Sequence, residues 1–140
     1  MSVKLNFDGM NELRAALQAL PDDLAEEAAG IVTATAQEAK SSIQGGYPMG
    51  PTGNLRNRVT VTNNAAHRAA AVSIVKSAAP HASIFEYGTK LRHTSKGWNR
   101  GKMPQPPEAE RMIPKVIRLR ARMVSQLIEL VRRAGFEVDA

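Results

Sequence analysis

The chain contains no cysteine, which excludes a disulfide framework, a thiolate zinc or iron–sulfur site and a cysteine nucleophile. Aromatic residues are scarce, at 4% of 140 residues. A core must therefore be built from Ala, Val, Leu, Ile and Met, which carry most of the 43% apolar content, an ordinary globular share. No apolar run approaches the roughly 18 residues needed to cross a bilayer, and the opening MSVKLNFDG has no apolar secretion core. These absences predict a soluble protein made in the cytoplasm, without membrane contact. The length suits a single domain.

Reactive groups are equally sparse. His67, His81 and His93 lie in three different segments, and none is paired at helical spacing with a second histidine or a carboxylate, so no metal site is expected. The glycine-rich stretch 45–53 follows a helical pattern and precedes a strand pattern, and it has no lysine. It fits neither nucleotide-binding fingerprint. No nucleophile elbow is present. Glu86 is a lone carboxylate among apolar neighbours, a setting that suits either a perturbed catalytic acid or, more often, a buried structural hydrogen bond. The chain reads as a non-enzyme without cofactor.

Charge is plentiful and unevenly placed. The formal net charge is +6. Residues 1–55 carry three basic side chains (Lys4, Arg14, Lys40) against seven acidic ones, and all other basic residues lie beyond them. Such a two-ended pattern suits head-to-tail contact between copies, a nucleic-acid partner, or a charged surface with no partner.

Periodicity then outlines the elements. Val3–Phe7 alternates apolar and polar residues as a short strand does. Asp8 is placed to cap a helix over 10–20 with Met10, Leu13, Leu17 and Leu20 on one side. Pro21 ends it and starts a second helix to about Ile43, with Leu24, Ala28, Ile31, Val32, Ala39 and Ile43 inward and Asp22, Asp23, Glu26 and Glu27 at its positive end. Residues 45–53 hold four glycines and two prolines and read as irregular. Segments 55–62 and 68–77 favour strands, with Asn63-Asn64 as turn chemistry, and predict a hairpin. Residues 80–87 form a short helical turn ending at Gly88. Residues 88–107 hold Lys90, Arg92, His93, Lys96, Arg100, Lys102 and the sole tryptophan, Trp98; they read as a long basic loop of functional character. A final helix runs from about Glu108 to Ala134, interrupted or restarted at Pro114. Val116, Leu119, Met123, Leu127 and Leu130 form its stripe, widened by Ile117, Val124, Ile128 and Val131.

Three local patterns occur in order: Gly53-Asn54-Leu55-Arg56 opening the hairpin, Ala79-Pro80-His81-Ala82 leading into Phe85-Glu86-Tyr87-Gly88-Thr89, and Met103-Pro104-Gln105-Pro106-Pro107 before the last helix. In this order they resemble the small tail-component family of long-tailed bacteriophages, the head–tail joining or tail-completion proteins encoded just before the major tail protein. The resemblance spans roughly residues 10–134. It implies an α+β single domain over 1–140, with an antiparallel β-sheet packed against a long helix of the N-terminal half and a long C-terminal helix.

The resemblance further implies a structural virion protein of the tail or neck: a tail-completion or tail-terminator ring, hexameric, joining the tail to the DNA-filled head. Its partners would be a head-connector or head-closure protein and the major tail-tube protein, with non-specific contact to passing DNA. A non-specific nucleic-acid-binding module is the alternative. In a ring, Lys90, Arg92, Lys96, Trp98, Arg100 and Lys102 of the long loop and Arg118, Arg120 and Arg122 of the last helix would lie at subunit or ring interfaces. The loop would be mobile in the free protein and ordered against a neighbour. Gly53, Asn54, Leu55, Glu86, Tyr87, Gly88 and Thr89 would form the fold motif, with Gly88 as a left-handed stop. Glu86 would accept backbone N–H bonds from flanking loops.

Overall fold

The computed structural model describes residues 10–64 and 72–136. The strand expected at Val3–Phe7, its neighbour Asp8 and His67 lie outside the described residues. Among the described residues five helices are arranged with two small antiparallel sheets, an α+β architecture. Helix α1 (Met10–Gln18) is followed at once by α2 (Asp22–Gly46), whose first backbone bond runs from the Ala25 N–H to the Pro21 carbonyl at 2.8 Å. Then come α3 (Asn54–Asn57), the hairpin β1 (Val59–Asn64) and β2 (Val72–Ser77), and α4 (Ala82–Tyr87). A second hairpin, β3 (Arg92–His93) with β4 (Asn99–Gly101), precedes a 3-10 turn at Glu108–Glu110 and the closing helix α5 (Met112–Arg133).

Helices α2, of 25 residues, and α5, of 22, form the spine. At 1.5 Å per residue α2 is about 37 Å long, and separate apolar clusters cover its two ends. At one end Leu13, Ala16 and Leu20 of the α1 segment pack on Ala25 and Ala28 of α2 and on Leu127, Ile128, Leu130 and Val131 of α5. At the other, Ile43, Tyr47, Leu55, Val59, Ala79, Ala82, Phe85 and Met112 form the second cluster. Small residues at Ala25, Ala28, Ala36 and Ala39 let the partner elements approach closely. Several apolar residues of the expected stripes, Leu24, Ile31, Val32, Val116, Leu119, Met123 and Val124, are only half-buried, and Ile117 is exposed. Two long helices with single-sided cover leave such flanks open.

Register explains the first hairpin. Val61 pairs with Val75 and Thr62 with Ile74. Val59, Val61 and Val75 face the spine, whereas Thr60, Thr62, Ile74 and Lys76 are exposed, as the two-residue period requires. The strand begins later than the expected residue 55, because Gly53, at φ +65°, starts the single helical turn α3 and places Leu55 in the core. Residues 45–46, read as irregular from composition, continue α2 instead. Its last turn is held by the Tyr47 N–H to the Ile43 carbonyl at 3.0 Å and by Lys115, whose Nζ donates to the Ser42 carbonyl at 2.9 Å. A cation there faces the negative end of the α2 dipole. Burial lowers the Lys115 pKa, with Arg118 adding to the fall and Glu110 and Glu86 opposing it.

The adjacent glycines at this end behave oppositely. A Cβ at Gly45 would meet nothing within 4 Å, while one at Gly46 would sit 2.8 Å from the Ala109 carbonyl oxygen and against the Lys115 ammonium. Gly45→Ala should therefore stabilise the chain by about 0.5–1 kcal/mol through backbone entropy. Gly46→Ala should destabilise it by roughly 1–3 kcal/mol through overpacking. Urea denaturation of both variants checks this, and equal shifts in midpoint would refute the packing argument.

Candidate functional site

Among the described residues Glu86 is the one fully buried carboxylate, at 0% exposure. Carried by α4, it accepts the N–H groups of Met112 and Ile113, both at 2.8 Å. These are the first two residues of α5, 26 and 27 positions away in the chain. An α-helix leaves four N-terminal donors without an internal partner, and here all are accounted for. The Arg111 N–H donates to the Glu108 carbonyl at 3.1 Å, Met112 and Ile113 donate to Glu86, and Pro114 has no N–H. The carboxylate also lies at the positive end of the α5 dipole. Pro114 therefore falls within the first turn, where it is tolerated, and the helix expected from Glu108 is interrupted at Arg111, whose φ and ψ are extended.

The residues after Glu86 close a second contact. Gly88 lies at φ +69°, ψ −175°. This is not the left-handed helical region expected of a stop residue but the extended positive-φ region that essentially only glycine enters. Its bare Cα admits a crossing strand of backbone, since a Cβ there would lie 2.7 Å from both the Gln105 nitrogen and the Met103 oxygen. Thr89 bonds Met103 twice, N–H to carbonyl at 2.7 Å and Oγ1 accepting the Met103 N–H at 3.1 Å. Gln105 donates through Nε2 to the Glu86 carbonyl at 3.3 Å. Two of the three sequence patterns thus form one clasp, which closes the base of everything between residues 89 and 103.

Tyr47 fills the space beside it. Its ring meets Phe85 edge-to-face at 5.4 Å, and it is 1% exposed. Burial pushes its hydroxyl up to about 12, with the Glu86 charge adding to the rise and the Ser77 hydroxyl opposing it. The first pattern joins through Arg56, which donates Nε–H to the Tyr47 carbonyl while Gln44 Nε2 bonds the Arg56 carbonyl at 3.1 Å. Tyr47, Ser77 and Lys115 were not singled out from the sequence, and Arg56 entered only as the last residue of the first pattern. Tyr47 stands among glycines and prolines, and only its size, in a chain with few aromatics, marks it as a core residue.

The basic residues divide into two groups. Residues 88–107 do not form a structureless loop: β3 and β4 pair, and Arg100 is the extra residue of a bulge between the pairs Arg92–Gly101 and His93–Asn99. Thr94 closes the tip by accepting the Trp98 N–H on Oγ1 at 3.1 Å. Lys90, Lys96, Arg100 and Lys102 are exposed, Arg92 is half-buried, and Trp98 is 73% exposed. Leu91 and Tyr87 are exposed nearby in the chain. The arm is thus a basic hairpin with an aromatic tip.

Arg118, Arg120 and Arg122 lie on α5, away from this arm in sequence. Arg122 pairs with Glu38 of α2, and the guanidinium, chiefly by that hydrogen bond, holds the Glu38 carboxyl below its ordinary pKa. Arg133 pairs with Glu27 at 2.9 Å. Part of the acid–base asymmetry is therefore satisfied within one chain. Among the described residues, no group of three His, Asp or Glu side chains is placed to hold a metal, and no helix is long and apolar enough to cross a membrane.

Residues 11–88 match the family model described as "Bacteriophage HK97-gp10, putative tail-component". The match includes α2, the first hairpin and the Glu86–Gly88 half of the clasp. No curated protein and no solved structure matches the chain.

Two measurements test the clasp and its aromatic neighbour. Glu86→Gln keeps the shape but turns one acceptor into a donor facing a backbone N–H, and should cost about 2 kcal/mol. Gly88→Ala adds a backbone clash to positive-φ strain of about 1–3 kcal/mol and should cost more. Urea midpoints near wild type for both would remove the clasp as a stabilising element. For Tyr47, the folded chain keeps the hydroxyl proton up to about pH 12, while the unfolded chain loses it near pH 10. Its contribution is complete below about pH 10 and lost as pH rises to about 12, a fall of roughly 2–3 kcal/mol. Tyr47→Phe should flatten that part of the alkaline decline in denaturation series. Parallel declines in the two proteins would contradict it.

Proposed function

The chain belongs to the HK97-gp10-like family of bacteriophage tail components, and on that ground we propose that it is a structural protein of the virion at the junction of head and tail. It acts without catalysis, as a ring that completes or terminates the tail and lets the DNA-filled head attach. The observation that carries this reading is the family match over residues 11–88, which takes in the Glu86–Gly88 segment. The proline-rich entry to α5, beyond the matched residues, follows in the order that the resemblance implies and adds support.

The proposed ring is hexameric and closes heterologously, the same two unlike surfaces meeting at every joint. Its axial neighbours would be a head-connector or head-closure protein and the major tail-tube protein. The arm at residues 89–103 supports an interface role, because it exposes Trp98 and Arg100, of the side-chain types that dominate contact energies. Arg118, exposed on α5, adds a cation on the spine, whereas Arg122 already has an acidic partner within the chain.

One observation favours a second reading. The arm carries Lys90, Arg92, Lys96, Arg100 and Lys102 with no acidic residue among them, which suits non-specific contact with a phosphate backbone. Such binding would weaken steeply with added salt.

An early stop codon in this gene of the parent phage, followed by electron microscopy of the lysate, tests the proposal. DNA-filled heads beside separate tails of normal length are the expected outcome for a joining or completion ring. Tails of abnormal length would assign the terminator role within the same proposal. Intact, infectious particles would refute it.

A further inference from the structure

We propose that the basic hairpin arm of one copy seats Trp98 in a groove on the α2–α5 face of the next copy, so that residues 89–103 form one half of a head-to-tail joint and residues 27–38 the other. This contact rests on the ring reading above and gives it specific surfaces. The groove, of about 440 Å³, is lined by Glu27, Gly30, Ile31, Ala34, Glu38 and Arg122, among others. Its floor is made of small or flat side chains: Gly30 and Ala34 are exposed, and a Cβ at Gly30 would meet nothing within 4 Å. Thr35, also at the groove, turns its hydroxyl back to the Ile31 carbonyl at 2.8 Å. A large planar side chain lying there would displace no hydrogen bond of that hydroxyl.

The occupant is argued from charge and from the free tip. Residues 22–38 carry Asp22, Asp23, Glu26, Glu27 and Glu38 with no basic residue, and residues 88–107 carry five basic residues with no acidic one. The two segments are equal and opposite in formal charge. The rim pairs Arg122–Glu38 and Arg133–Glu27 are themselves exposed, so they hold little energy and can exchange partners. The chain leaves its own groove open, since Trp98 is 73% exposed. An indole buried in such a groove removes about 150–250 Å² from water, a suitable anchor within a larger joint. Because groove and arm are different surfaces, copies joined this way form rings or filaments rather than closed pairs.

The absence of cysteine makes the test direct. Ser95→Cys marks the arm tip and Ala34→Cys the groove floor, both at exposed positions. Equal amounts of the two purified single variants are mixed at about 100 μM and oxidised, and disulfide-linked peptides are read by mass spectrometry. The expected result is a mixed Ser95→Cys to Ala34→Cys link exceeding like-with-like links by about tenfold. The double variant should give a ladder on a non-reducing gel. Adding Trp98→Ala to the arm variant should reduce the mixed link at least about fivefold, while Gly30→Leu, filling the groove of the other variant, should do the same from the opposite side.

Like-with-like links in excess, no link at all, or a mixed link indifferent to both substitutions would overturn the proposal. Loss of DNA retention in Trp98→Ala, with cross-linking unchanged, would assign the arm to nucleic acid instead and also overturn it. Failure here is distinguishable from failure of the neck reading: stop-codon lysates with unjoined heads and tails would leave that reading intact while removing this contact alone.

Discussion

A single carboxylate fixes where the last helix can begin. Glu86 is sealed from solvent and accepts the two backbone donors that open α5. A buried charge is tolerable only when its lone pairs are occupied, and a buried helix start only when its donors are. Each group answers the other's cost. Because the partners are separated by more than 20 residues, the same pair of bonds locks α4 onto α5 and so the end of the hairpin layer onto the spine. Gly88 and Thr89 then complete the closure on Met103 and Gln105. The positions of Tyr47, Phe85 and Met112 around the carboxylate follow from that anchor.

Charge works on a second, looser level. Lys115 ties α5 to the last turn of α2, and the exposed pairs Arg122–Glu38 and Arg133–Glu27 link the same two helices further along. The exposed pairs contribute modestly to stability, but they set which faces of the spine present acid and which present base. The arm carries five basic residues and no acidic one, and the first half of α2 carries acidic residues without a basic one.

Much of the architecture was readable from residue pattern. Pro21 and the apolar spacing on either side of it give α1 and α2, the paired β-branched runs give the first hairpin, and the stripe from Val116 to Val131 gives α5. The Glu86–Gly88 segment was recognisable as the most specific local pattern, and hydrogen bonding was the favoured role of its carboxylate. Other features resisted reading because they depend on partners distant in sequence. Gly46 is helical since Lys115 and Ala109 lie over it, and glycine content alone argued against a helix there. Residues 54–57 turn once as a helix because Leu55 must reach the core, overriding the strand preference of the segment. The second hairpin is short and weakly patterned, with a bulge at Arg100, so the alternation that signals a strand never accumulates. Gly88 was placed at a turn, yet its ψ follows from the backbone crossing it, which no local rule contains.

The clasp also separates two kinds of heritable constraint. The hydrogen bonds described at the base of the arm join Thr89 to Met103 and Gln105 to Glu86, whereas Lys96 and Trp98 at the tip are exposed and outside the core clusters. Substitutions at the exposed tip positions Lys96 and Trp98 leave the folding free energy almost untouched. The tip is therefore the part of the molecule free to drift, and a lineage that exchanges one tail architecture for another can retune its contacts there without rebuilding the domain that carries them.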